Sequence, residues 1–127
     1  MSKAVDLELK RAFTELQQKM LETTHKLKLA DVQIDNLKRS MQHAQLTEKE
    51  ISSLDPGTNT YESVGRMFIL TDIPEVCKHL QTKSQACSEK IKTLESNKSY
   101  LERSLKDSEN NLREMVQQRK EMAQESS

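Results

Sequence analysis

From Leu9 onward, apolar residues return at alternating intervals of three and four: Leu9, Phe13, Leu16, Met20, Thr23, Leu27, Ala30, Ile34, Leu37, Met41 and Ala44. Only Thr23 in that row is polar, and neither Gly nor Pro interrupts it. Such spacing, held over about five heptads, predicts a helix whose apolar edge is a coiled-coil seam. Phe13, Met20, Leu27, Ile34 and Met41 take the a positions, and Leu9, Leu16, Leu37 and the smaller residues take d. Glu15–Lys19, Glu22–Lys26 and Asp35–Arg39 set an acid four residues before a base, an orientation that adds about 0.2–0.5 kcal/mol per pair. A second row begins at Ile73 and runs through Cys77, Leu80, Ser84, Cys87, Ile91, Leu94, Lys98, Leu101, Leu105, Ser108, Leu112, Met115 and Arg119 to Met122. Asp72 stands at its N-cap, Glu75 completes a capping box, and Pro74 is tolerated in the first turn.

Between the two rows the period changes. Thr47-Glu48-Lys49-Glu50 fits a capping box and predicts a short separate helix over 47–54 that carries Ile51 and Leu54. Asp55-Pro56-Gly57 then ends that helix and turns the chain. Residues 58–70 read as a β-hairpin, with Gly65-Arg66 as a two-residue type II′ turn that needs φ > 0 at its first position. Side chains of a strand alternate between faces, so the run Met67-Phe68-Ile69-Leu70 is apolar on both. A lone two-stranded hairpin is marginal in water. Tyr61, Val64, Met67, Phe68, Ile69 and Leu70 therefore form the candidate oligomerisation surface.

The simplest fold that satisfies both rows is mainly α: a long antiparallel coiled-coil hairpin with one short β-hairpin at the end opposite the termini. It is one domain over residues 1–127, with helices over about 5–45 and 72–122. At roughly 1.5 Å per residue the first seam is about 54 Å long and the second about 75 Å. If Ala44 lies opposite Ile73, Leu9 lies near Ser108, and Leu112, Met115, Val116 and Met122 have few or no partners. A second apolar surface is expected there, of Val5, Leu9 and Phe13 with Leu112, Met115, Val116 and Met122. Exposed apolar patches mark interaction sites, and methionine's flexible thioether suits varied partners.

Composition narrows the functional classes. The chain has 127 residues, 34% hydrophobic, 31% charged and 3% aromatic, with no Trp, which is the profile of long helices and not of an ordinary globular core. Lys plus Arg and Asp plus Glu are 20 each, so no net field draws the chain to nucleic acid or to anionic lipid. No apolar run approaches the roughly 18 residues of a membrane span, and the first residues carry no apolar signal core. A cytoplasmic location is expected, with the nucleus also open.

Candidate chemistry is sparse. His25, His43 and His79 fall at outer heptad positions and read as solvated surface residues. Cys77, His79 and His43 have the wrong spacing for zinc, so no metal and no cofactor is expected. Cys77 and Cys87 lie in the seam, where a thiol packs as a small hydrophobe. Asn97-Lys98-Ser99 matches a glycosylation sequon but sits within a helix. Lys98 at a seam position either sets register or snorkels to solvent. Gly57 and Gly65 alone cannot build a phosphate loop, and no nucleophile, base or carboxylate pair shares a pocket. An enzyme is not expected.

The stretches "LKRAFTELQQKMLETTHKLKLADVQIDNLKRS", "YESVGRMFIL" and "KSYLERSLKDSENNLREM" together resemble the prefoldin family from about Val5 to about Met122. The "GRMFIL" hairpin between two coiled-coil arms is the specific part, and one hairpin resembles the β-type subunits. The resemblance implies a subunit of a heterohexamer of two α-type and four β-type chains, so that its partners are two α-type and three further β-type subunits. Hairpins join into a platform, and coiled-coil arms capture unfolded clients such as actin and tubulin and pass them to the cytosolic chaperonin without nucleotide. The rival reading is a structural coiled-coil scaffold or tether without client binding, which has no need of apolar β-structure midway.

Overall fold

The computed structural model describes the backbone of residues 3–125 and the side chains of residues 7–125. Its elements follow in the order α1 (Lys3–Ser52), β1 (Thr60–Val64), β2 (Met67–Thr71) and α2 (Ile73–Glu125). The two long helices pack antiparallel, and the strands form a two-stranded antiparallel hairpin. The chain divides into two compact units, one of residues 1–31 with 96–127 and the other of residues 32–95.

The separate helix expected over 47–54 does not exist, because α1 runs without a break to Ser52. The Thr47 hydroxyl, which the capping-box reading used to start a helix, instead donates to the His43 carbonyl one turn back at 2.7 Å. Ser52 does the same to Glu48 at 2.7 Å. Side chains bonded in this way sit within a continuing helix, and no Gly or Pro occurs before Pro56 to stop it. The chain then reverses in a turn closed by the Thr58 N–H donating to the Asp55 carbonyl at 2.9 Å. α2 starts as expected, with the Asp72 carbonyl accepting the first helical bond from the Val76 N–H at 3.0 Å.

The longer α1 changes the register. In the unit of residues 32–95, Gln45 donates to Ser84 at 3.4 Å, Gln81 to Glu48 at 2.6 Å, and Ser52 Oγ meets Cys77 Sγ at 3.5 Å. Pairing therefore begins at Ser52 with Cys77, and not at Ala44 with Ile73. In the other unit Lys98 Nζ pairs with Asp31 at 2.5 Å and Arg119 Nη2 with Glu8 at 3.3 Å. Lys98, one of the seam residues, thus sends its charge outward to a carboxylate of the other helix. Because Glu8 meets Arg119, the end of α2 is not left over. Leu112 is 8% exposed, and Met115 and Val116 are half-buried.

The seam of α2 follows the expected row as far as Arg119, with Cys87, Ile91 and Leu112 buried, except that near its start Val76, outside that row, is buried and Cys77 only half-buried. Near its start, α1 departs from it. Ala12 and Lys19 take the inward, half-buried places, while Phe13 and Met20 are exposed at 45% and 40%. The row Leu9, Ala12, Leu16, Lys19, Thr23 keeps the 3-4 spacing one residue earlier. A lysine can hold a seam place here because its ammonium is satisfied: Lys19 Nζ donates to Ser108 Oγ at 2.6 Å and to Ser104 Oγ and O at 3.0 and 3.3 Å.

Candidate functional site

The hairpin is built on a tight turn. Gly65 has φ of 63° and is the only described residue with positive φ. Positive φ at the first central position alone, and not at Arg66, is the type II′ turn that the sequence predicts. The register pairs Val64 with Met67, Ser63 with Phe68, Glu62 with Ile69, Tyr61 with Leu70 and Thr60 with Thr71. Alternation then puts Val64, Met67 and Ile69 on one face and Tyr61, Phe68 and Leu70 on the other. Thr60 Oγ1 donates to the Thr71 carbonyl and closes the open end.

All six of the apolar residues expected to serve oligomerisation are exposed, from 49% for Val64 and Ile69 to 72% for Phe68. Both edges of the two-stranded sheet are open, and unpaired edges are templates for another chain. Such an area of exposed apolar surface is far from the scattered single residues of an ordinary surface.

The face that carries Glu62 is fixed to α2. His79 Nδ1 lies 2.7 Å from Glu62 Oε1, and His79 Nε2 lies 3.2 Å from Glu75 Oε1. The hydrogen bond to the Glu62 carboxylate, opposed by some loss of solvent, holds the His79 pKa above its ordinary value. His79 is exposed, as the heptad position indicates, but it is not merely solvated. The i,i+4 spacing of Glu75 and His79 was visible in the sequence, whereas Glu62 reaches the ring only through the hairpin's fold.

The second candidate surface is brought together in part. In the unit of residues 1–31 with 96–127, Phe13, Leu16 and Met20 of α1 and Leu112 and Val116 of α2 line a shallow open groove, with Glu109, Arg113 and Gln117 on its rim. Leu9 and Met115 are half-buried, and Met122 is 55% exposed. The Val5 side chain lies outside the described residues. Leu16 and Met20 were expected only as seam residues, and it is the seam's rotation toward Ala12 and Lys19 that turns Met20 to the outside.

Among the described residues no group of His, Cys, Asp and Glu is arranged to hold a metal ion, and no helix is long and apolar enough to cross a membrane. The prefoldin subunit family model matches residues 14–119, arms and hairpin together. The chain belongs to the prefoldin subunit family. It is 54% identical over 120 residues to prefoldin subunit 1 of Bos taurus, covering 94% of this chain and 98% of that protein. It is 37% identical over 116 residues to the probable prefoldin subunit 1 of Caenorhabditis elegans, covering 91% and 98%. The fold is that of the prefoldin beta subunit from Thermococcus strain KS-1, with a TM-score of 0.69 at 19% identity, over 84% of this chain and 90% of that one. A prefoldin subunit is a non-enzymatic component of a chaperone and assembles with other prefoldin subunits.

Proposed function

We propose that this prefoldin subunit acts in the cytoplasm within a heterohexamer of two α-type and four β-type chains. Through Tyr61, Val64, Met67, Phe68, Ile69 and Leu70 its hairpin joins the platform. The arm surface of Phe13, Leu16, Met20 and Val116, with Leu9, Met115, Met122 and the end of α1 around Val5, meets unfolded clients. The client class follows the family resemblance, actin and tubulin chains passed to the cytosolic chaperonin. No step consumes nucleotide: each apolar contact with an unfolded chain is weak and breaks without an energy source. One observation carries the assembly reading: a hairpin with six exposed apolar side chains and two open edges. Partner hairpins that covered those faces would remove both liabilities at once.

The test is the double substitution Phe68→Ser with Leu70→Ser, two neighbours of the most exposed face. It removes apolar area whose burial is worth about 1.5–3 kcal/mol per side chain. Co-expressed with its partner subunits, the variant is expected to drop out of the hexamer in native mass spectrometry while its far-ultraviolet helicity stays at the wild-type level. Incorporation at wild-type affinity overturns the platform role.

A further inference from the structure

We propose that His79 is the positioning residue of the assembly hairpin: an imidazolium clip that ties β1 to α2 and loses one of its two carboxylate partners when the ring gives up a proton. The argument rests on donor counting. Both ring nitrogens face carboxylate oxygens, Nδ1 toward Glu62 at 2.7 Å and Nε2 toward Glu75 at 3.2 Å. A carboxylate only accepts, and a neutral imidazole carries a single N–H. Both contacts can therefore be made together only by the doubly protonated ring. Glu75 is on α2, one turn before His79 in the same helix, and Glu62 is on β1. The ring thus joins the hairpin to the helix that carries it, with Glu75 holding the ring in place.

Glu62 from β1 and Glu75 from α2 are the charged groups that act on the ring. Lys78 and Lys83 are its basic neighbours on α2. α1 directs Glu48 to the Gln81 amide, at 2.6 Å, and not to the ring. Glu62 holds the ring's pKa above its ordinary value. A raised folded-state pKa means that the clip stabilises the hairpin fully below the ordinary histidine pKa, and that its contribution is lost as pH rises through the raised one. The exposed ring makes this a modest effect on posture and not a fold switch. The effect on assembly rests on the platform reading above, whereas the clip itself does not.

The experiment follows the full-length chain at low concentration from about pH 6 to about pH 8.5, across the ordinary histidine pKa and above it. Amide exchange of the two strands, corrected for intrinsic rates, is measured by mass spectrometry beside the NMR titration of the His79 ring. In the wild type, strand protection is expected to fall about two- to fivefold as the ring deprotonates, the range of an exposed charged pair. His79→Gln is expected to show the lower protection throughout with no pH step, and His79→Arg, always charged, to keep the higher protection throughout. The same pH step in the wild type and in His79→Gln overturns the clip, as does wild-type protection of His79→Gln at the acid end. Co-assembly is measured on the same variants beside Phe68→Ser with Leu70→Ser. If strand protection follows His79 but the hairpin double variant still assembles, the clip stands and the platform reading fails.

Discussion

Single positions set the hairpin and the closeness of the helices. Gly65 holds φ of 63°, and an added Cβ would meet no atom within 4 Å. Any cost of a side chain there is therefore backbone strain and not a clash with neighbours. Gly65→Val forces a β-branched residue into the left-handed region, which costs about 1–2 kcal/mol. The expected result is faster exchange of the strand amides at unchanged helicity, with Gly65→Ala losing less because its side chain is not branched at Cβ. Ala44 makes a complementary case. It is 1% exposed at a seam position, where a small side chain lets the helices approach. Ala44→Leu inserts methylenes into a filled site, and overpacking of this kind costs about 1–3 kcal/mol. The chain's thermal midpoint by far-ultraviolet circular dichroism is expected to fall, whereas Leu29→Ala, at a residue 52% exposed, leaves it nearly unchanged.

The helices and the hairpin were legible in the sequence because each is written in a local period. Spacings of three and four residues define both arms, and the Gly65-Arg66 turn defines the hairpin with its register and both of its apolar faces. What the sequence did not disclose is relational. The break expected near Gln45 came from treating Thr47 as a cap, when the same hydroxyl can bond one turn back, as it does to His43. That error moved the expected pairing along α2 and left Leu112 and its neighbours without partners that they in fact have. The hydrophobic pattern alone points Phe13 and Met20 inward because it passes over Lys19, whose place depends on Ser104 and Ser108 of the other helix. The register carries its own prediction. Ser52 Oγ and Cys77 Sγ are 3.5 Å apart, so Ser52→Cys brings a second thiol beside Cys77. Mild oxidation is expected to form an intramolecular disulfide, seen as a mass loss of two hydrogens and as a cross-linked peptide pair in which the introduced thiol is mapped to Cys77. A register that pairs Ala44 with Ile73 places these residues about three turns apart along the seam and gives no cross-link.

At the scale of the whole molecule, the two apolar surfaces fall in different compact units, the hairpin within residues 32–95 and the groove within residues 1–31 with 96–127. The assembly and client roles proposed for them can therefore be damaged separately. Removing the end of α2 is a poor way to test the groove, because Arg119 and Leu112 help to hold α1 in place. Substitution of exposed groove residues is cleaner. Phe13 and Met20 are 45% and 40% exposed and flank the seam, so Phe13→Ser with Met20→Ser removes groove surface while Ala12, Leu16 and Lys19 keep their inward places. An unfolded client offers scattered apolar side chains with no fixed geometry. In the proposed function each contact is weak, and capture depends on several arms engaging at once, each bound arm raising the effective concentration of the next. Weakening one arm of a hexamer therefore reduces capture in part and does not abolish it. Light scattering of diluted unfolded actin, with wild-type and variant hexamers at equal concentration, is expected to show suppression that is reduced but present. Native mass spectrometry should find the same hexamer in both. Equal suppression across several unfolded clients, from an intact variant hexamer, would remove the groove from client capture and leave this subunit an architectural role.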